Sequence, residues 1–160
     1  MKKTIGVYAG SFDPFTFGHL GITRQAAQLF DEIIILIAHN AEKTARIDPK
    51  IIRKLITEIL TAENLTNVKV AATSGASARF AQQAKASFLI RGLRNQTDFQ
   101  YEETIAQVNR QLTGLKTVYF RADDSVSYVS SSLAMDLFNI GEDVSQFLPA
   151  NIIEYLRKAK

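Results

Sequence analysis

Residues 4–19 read TIGVYAGSFDPFTFGH. The first six form a short apolar run of the kind a buried strand makes. Gly10 ends the run and lets the chain turn sharply, and Gly18 eases the start of a helix spanning residues 18–30. His19 falls in the first turn of that helix. Free backbone N–H groups and the positive end of the helix dipole make such a position suitable for phosphate. A histidine there either donates a hydrogen bond to a phosphate oxygen or caps the helix within a satisfied network. Strand, turn and helix in this order predict a fold whose ligand sits beyond the carboxyl ends of the strands.

The pattern repeats along the chain. Residues 32–38 contain Ile33, Ile34, Ile35, Leu36 and Ile37, a β-branched run expected of a strand buried on both faces. Asp48 and Pro49 open a helix, Asp as N-cap and Pro at the first helical position. Ile52, Leu55, Ile56, Ile59 and Leu60 then mark one helix face. Strands are expected at 68–72, 88–91 and 117–120. Helices are expected at 76–86, 97–112 and 131–139, and from Pro149 to the C-terminus. Five strands alternating with helices predict an α/β architecture, a Rossmann-like five-stranded parallel sheet with helices on both faces. No linker, repeat or low-complexity segment interrupts residues 1–160, which read as a single domain. The ligand edge should lie just after Ala9, Ala38, Ala72, Ile90 and Phe120.

Composition narrows the function. Hydrophobic residues make up 46% of the chain, enough for a core, and the formal net charge is +3. That mild basicity suits small anions such as phosphates, and no basic stripe interleaved with aromatics points to nucleic acid. Absence of cysteine excludes disulfides, thiol chemistry and thiolate zinc sites, and two histidines do not make a histidine cage. No apolar run reaches the ~18 residues of a membrane helix. A cytoplasmic protein is expected.

The predicted ligand edge carries the chemistry. Lys43, after the second strand, is either a solvated loop lysine or a phosphate ligand. Arg91 and Arg94 flank Gly92 after the fourth strand, where guanidinium forks fit phosphate; the other reading is a pair of surface arginines. On the long helix, Tyr101, Ile105, Val108 and Leu112 form an apolar stripe. Asp98, Glu102 and Asn109 share a different face, which meets either a nucleotide or solvent. Ser130, Ser131 and Ser132 stand before a helix, as phosphate ligands or as plain N-caps.

Thr16-Phe17-Gly18-His19, within the longer Gly-Ser-Phe-Asp-Pro block, resembles the (H/T)xGH motif of the nucleotidyltransferase superfamily. The IRGLR segment at 90–94, DFQYE at 98–102, VSSS at 129–132 and FLP at 147–149 narrow the likeness. Together they resemble the bacterial phosphopantetheine adenylyltransferase family over nearly the whole chain. The resemblance implies one nucleotidyltransferase domain that transfers AMP from ATP to 4′-phosphopantetheine, giving dephospho-CoA and pyrophosphate.

It also implies residue roles. Ser11 and Phe12 contact ATP, Ser11 also touching the acceptor. His19 stabilises the α-phosphate in the transition state, with Lys43 and Arg94 in the catalytic group. Lys43 and Arg91 hold the pantetheine phosphate, with Ser77 in the acceptor site. Gly92, Leu93, Arg94, Glu102, Val126, Ser127, Tyr128, Val129, Ser130, Ser131 and Ser132 bind ATP. A homohexamer and feedback by coenzyme A are family properties. Two segments depart from the family pattern, Ala41-Glu42-Lys43 around the loop lysine and Gly75-Ala76-Ser77 where apolar contacts to the pantetheine arm are usual.

A phosphate monoester, with a second pKa near ~6, is already a nucleophile at neutral pH. Direct in-line attack on the α-phosphorus therefore needs no general base and no covalent intermediate. Magnesium is expected on the triphosphate, with no protein ligand. The alternatives are a nucleotidyltransferase with another acceptor and a non-catalytic nucleotide-binding module.

Overall fold

A computed structural model describes residues 3–40 and 42–160. Strands β1 (Ile5–Gly10), β2 (Glu32–Ala38), β3 (Val68–Thr73), β4 (Phe88–Leu93) and β5 (Lys116–Arg121) form one sheet in the order β3-β2-β1-β4-β5. Every neighbouring pair is parallel. The helices are α1 (Phe17–Ala27), α2 (Pro49–Ala62), α3 (Ser77–Gln83), α4 (Gln96–Thr113), α5 (Ser131–Asn139) and α6 (Ala150–Ala159).

Strand periodicity sorts the core into two layers. Tyr8, Ile33, Ile35, Ile37 and Ile90 point to the face covered by α1, α2, α5 and α6. Val7, Ala9, Leu36 and Leu89 point to the other, under α3. Successive residues of one strand face opposite sides, so β2 needs apolar residues throughout, as its isoleucine run supplies. Gly6 in β1 is fixed by space: a Cβ there would run into Ile90 Cδ1 and come within 3.0 Å of the Phe30 ring.

Some boundaries differ from those expected. β4 runs on to Leu93 because its last residues pair with β5, Gly92 with Phe120 and Leu93 with Arg121. Helix α1 starts earlier, at Phe17, because Thr16 caps it, and it ends at Ala27 rather than residue 30. Helix α3 is shorter than 76–86, and its N-cap Ala76 makes no side-chain capping bond. The sharp conformation after β1 lies at Phe12, with φ +49°, and not at Gly10. Gly10 instead leaves room for the Phe12 ring, which a Cβ would approach to 3.2 Å. Gly114 ends α4 in the left-handed conformation, φ +76°.

The strand order reverses between β1 and β4. Chain order runs β1, β2, β3 outward on one side and then returns to β4 on the other side of β1. A crevice opens at such a point, beyond the carboxyl ends of the two strands.

Candidate active site

A cleft of about 340 Å³ lies at that reversal, within the size range of ligand sites. The turn after β1, the start of α1, the end of β4 and the start of α5 wall it. Each wall contributes residues singled out from the sequence: Ser11, His19, Arg91, Arg94 and Ser130–Ser132 among them.

His19 is held by its own helix start. The Thr16 N–H donates to His19 Nδ1 at 3.0 Å, and the His19 N–H donates to Thr16 Oγ1 at 3.3 Å. This is a capping box, with histidine in the position usually taken by Glu or Gln. The capping reading of His19 is seen directly: Nδ1 caps the helix, and among the described residues Nε2 makes no hydrogen bond. Because Nδ1 accepts, the proton of the neutral ring sits on Nε2. Burial, reinforced by the cations Arg94 and Arg91, pushes the imidazole down to about 4. At neutral pH His19 is thus an uncharged N–H donor in a fixed tautomer.

The floor beneath it is aromatic. The Phe12 ring packs edge-on against Tyr8 and His19, with centroids 5.2 and 5.0 Å apart. Phe12 is only 1% exposed, so at this turn its backbone is what a nucleotide can reach. A bulky residue with positive φ is strained, and this packing holds it there. Burial pushes the Tyr8 phenol well up, which keeps its proton in place.

The two arginines of β4 and its following loop are each gripped by α4. Arg91 donates from Nε to Glu102 Oε2 at 2.7 Å and from Nη2 to Oε1, and Nη1 reaches the Ala9 carbonyl. Arg94 donates from Nε and Nη2 to Asp98 at 2.9 and 3.2 Å. The face of α4 bearing Asp98 and Glu102 lines the cleft, and it sets the two guanidinium groups along one wall. Glu102 is 8% exposed, the only buried residue of α4.

At α5, Ser130 caps the helix by accepting from the Leu133 N–H at 3.0 Å. Ser131 donates to the Pro14 carbonyl at 2.7 Å, tying α5 to the turn after β1. The N–H groups of Ser131 and Ser132 have no acceptor within the helix.

Other expected residues lie elsewhere. Lys43 is exposed and lines an adjoining hollow of about 500 Å³, which shares Ser11 and Arg46 with the cleft. Ser77 and Asn109 line a third hollow of about 280 Å³ behind β4, which shares Arg91 and Glu102 with the cleft. Leu93, Ser127 and Tyr128 do not line the cleft, whereas Gly92, Val126 and Val129 do. Gly92 is fitted by space, since a Cβ would meet Ile22 Cγ1 at 3.0 Å. Of the Ala41-Glu42-Lys43 departure, Ala41 lies outside the described residues. Lys43 and Arg91, expected to hold one phosphate, line different hollows.

Sequence reasoning missed two residues. Arg46 lines both the cleft and the Lys43 hollow. Asp13 orders it, accepting from the backbone N–H groups of Arg46 at 2.7 Å and Ile47 at 2.9 Å. The available signal was position alone, a cation a few residues beyond the second strand's carboxyl end.

The sequence model of the cytidylyltransferase-like family matches residues 7–136. A phosphopantetheine adenylyltransferase of Cytophaga hutchinsonii is 44% identical over 149 residues, 92% of this chain and 98% of its own. One from Lachnoclostridium phytofermentans is 41% identical over 95% of this chain and 93% of its own. Among solved structures, the Plasmodium falciparum nicotinic acid mononucleotide adenylyltransferase complexed with NaAD superimposes with a TM-score of 0.74. It covers 99% of this chain and 96% of its own at 14% identity, a likeness of fold.

Proposed function

The chain belongs to the phosphopantetheine adenylyltransferase family of nucleotidyltransferases, and on that premise we propose that it transfers AMP from ATP to 4′-phosphopantetheine, releasing pyrophosphate and dephospho-CoA. An oxygen of the acceptor's phosphate forms a bond to the α-phosphorus. The bond from that phosphorus to the β-phosphate oxygen breaks, and its electron pair leaves with pyrophosphate. The nucleophile is already anionic, so positioning and charge stabilisation carry the catalysis.

The observation that carries this reading is His19, a neutral Nε2–H donor locked by the Thr16 N–H at the cleft floor. A donor fixed in advance stabilises charge developing on the α-phosphate without having to reorganise. Ser11, Phe12 through its backbone, Gly92, Leu93, Arg94, Glu102 and the residues 126–132 serve ATP; of these, Leu93, Ser127 and Tyr128 lie outside the cleft lining. Arg91 and Lys43 approach the acceptor phosphate from two hollows. The hollow behind β4, with Ser77 at its rim, suits the pantetheine arm.

Magnesium enters with ATP as part of the substrate. Among the described residues no three His, Asp or Glu side chains stand together to hold a metal. Asp98 and Glu102 are already engaged by arginines. Residues 1–160 act as one domain in the cytoplasm; among the described residues no helix is long and apolar enough to cross a membrane. The family resemblance points to a homohexamer, and the apolar stripe of α4, where Tyr101, Val108 and Leu112 are 68%, 51% and 46% exposed, supports a subunit contact.

The test is pyrophosphate release from the purified chain with magnesium and three substrate pairs: ATP with 4′-phosphopantetheine, ATP with nicotinamide mononucleotide, and CTP with glycerol 3-phosphate. Release with the first pair alone is expected. Release with another pair alone moves the acceptor assignment. ATP binding without release from any pair points to a non-catalytic module.

A further inference from the structure

The charge balance of the cleft leaves one cation over. Arg91 is matched by Glu102 and Arg94 by Asp98, each through two nitrogens. His19 is neutral. Among the described residues Arg46 forms no ion pair. Its guanidinium donates only to uncharged oxygens, the Asp13 carbonyl at 3.0 Å and Ser132 Oγ at 3.1 Å. The Asp13 carboxylate is occupied by the two backbone N–H groups of Arg46 and Ile47. Those bonds clamp the loop after β2 to the turn after β1, so Arg46 is aimed from a fixed backbone. Its Ser132 partner sits at the start of α5, where the N–H groups of Ser131 and Ser132 lack helical acceptors.

A guanidinium bound to neutral oxygens exchanges them readily for phosphate oxygens, which it matches in a charge-assisted fork. The ligand reaching the start of α5 therefore meets two free N–H groups and one uncompensated positive charge. Of the proposed substrates, the triphosphate tail of ATP carries the most negative charge. We propose that Arg46 binds the β- and γ-phosphates of ATP beside the start of α5, and stabilises the charge that passes to pyrophosphate when it leaves. This assignment rests on the adenylyl-transfer reading.

Titration calorimetry on the full chain tests it, with MgATP, AMP and magnesium pyrophosphate as separate probes. Arg46→Ala should weaken MgATP and pyrophosphate roughly ten- to a hundredfold, the range for hydrogen bonds to a charged group. AMP, which lacks the two outer phosphates, should bind as it does to wild type. Arg46→Lys should restore part of the loss, since it keeps the charge without the fork. An equal loss for MgATP and AMP would reduce Arg46 to a brace between loops and overturn the proposal. So would no loss at all, or a loss confined to 4′-phosphopantetheine. A wild-type chain that does not bind MgATP would overturn the adenylyl-transfer reading itself and take this proposal with it.

Discussion

His19 shows how one side chain can meet two demands. Its Nδ1 satisfies the backbone of Thr16, and that bond leaves the proton on Nε2. The residue therefore titrates in a predictable direction. Its folded pKa, about 4, lies below the ordinary value of 6.5, so below pH 6.5 the unfolded chain takes up the proton first. Stability from keeping His19 neutral is fully present above about pH 6.5 and is lost as pH falls toward 4. Urea midpoints for wild type and His19→Gln should accordingly converge as pH drops from 7 to 4.5, and ring ¹⁵N shifts should report the Nε2–H tautomer throughout that window. Convergence on raising the pH instead would contradict the assignment. The motif around His19 was legible because glycine, aspartate, proline and histidine stand close together in sequence. Arg46 was not: its partners Asp13 and Ser132 lie 33 and 86 positions away, and no local pattern records such a reach.

At the scale of elements, strands were the most readable part. Short apolar runs set between helical patterns marked all five. Their ends were less readable, because pairing with a neighbour fixes them, as at Leu93. Helix α4 was read correctly as two-faced, yet periodicity alone does not say what covers each face. One face turned out to grip Arg91 and Arg94; of the apolar stripe, Tyr101, Val108 and Leu112 are left exposed while Ile105 lines the hollow behind β4. The grip makes a prediction. Glu102 is nearly buried while the Arg91 side chain keeps 33% of its exposure. Glu102→Ala should cost about 3 kcal/mol in urea denaturation, the low end for stranding a buried charge. Arg91→Met/Glu102→Leu, which removes both charges, should recover most of that. If the double variant is as unstable as the sum of its parts, the pair is not the coupled unit described here.

For the molecule as a whole, alternation of strands and helices predicted a parallel sheet, and the ligand edge followed from it. Strand order itself was not readable, since it depends on where the chain turns back toward β1. That reversal is what gathers residues from four separate segments into one cleft. The exposed part of the α4 stripe is the other whole-molecule feature. An apolar stripe of Tyr101, Val108 and Leu112 suits a subunit interface better than water. Light scattering should give a mass several times that of one chain, and Val108→Glu should lower it. A monomeric wild type would remove the support for assembly.

The most direct test of the central claim sets wild type beside His19→Ala in the same assay, ATP and magnesium with 4′-phosphopantetheine, following pyrophosphate. The account predicts rapid release by wild type and a loss of roughly 10²–10³ in turnover for the variant, as for removing one transition-state donor, with the circular dichroism spectrum unchanged. Near-normal turnover in a folded His19→Ala chain would contradict it.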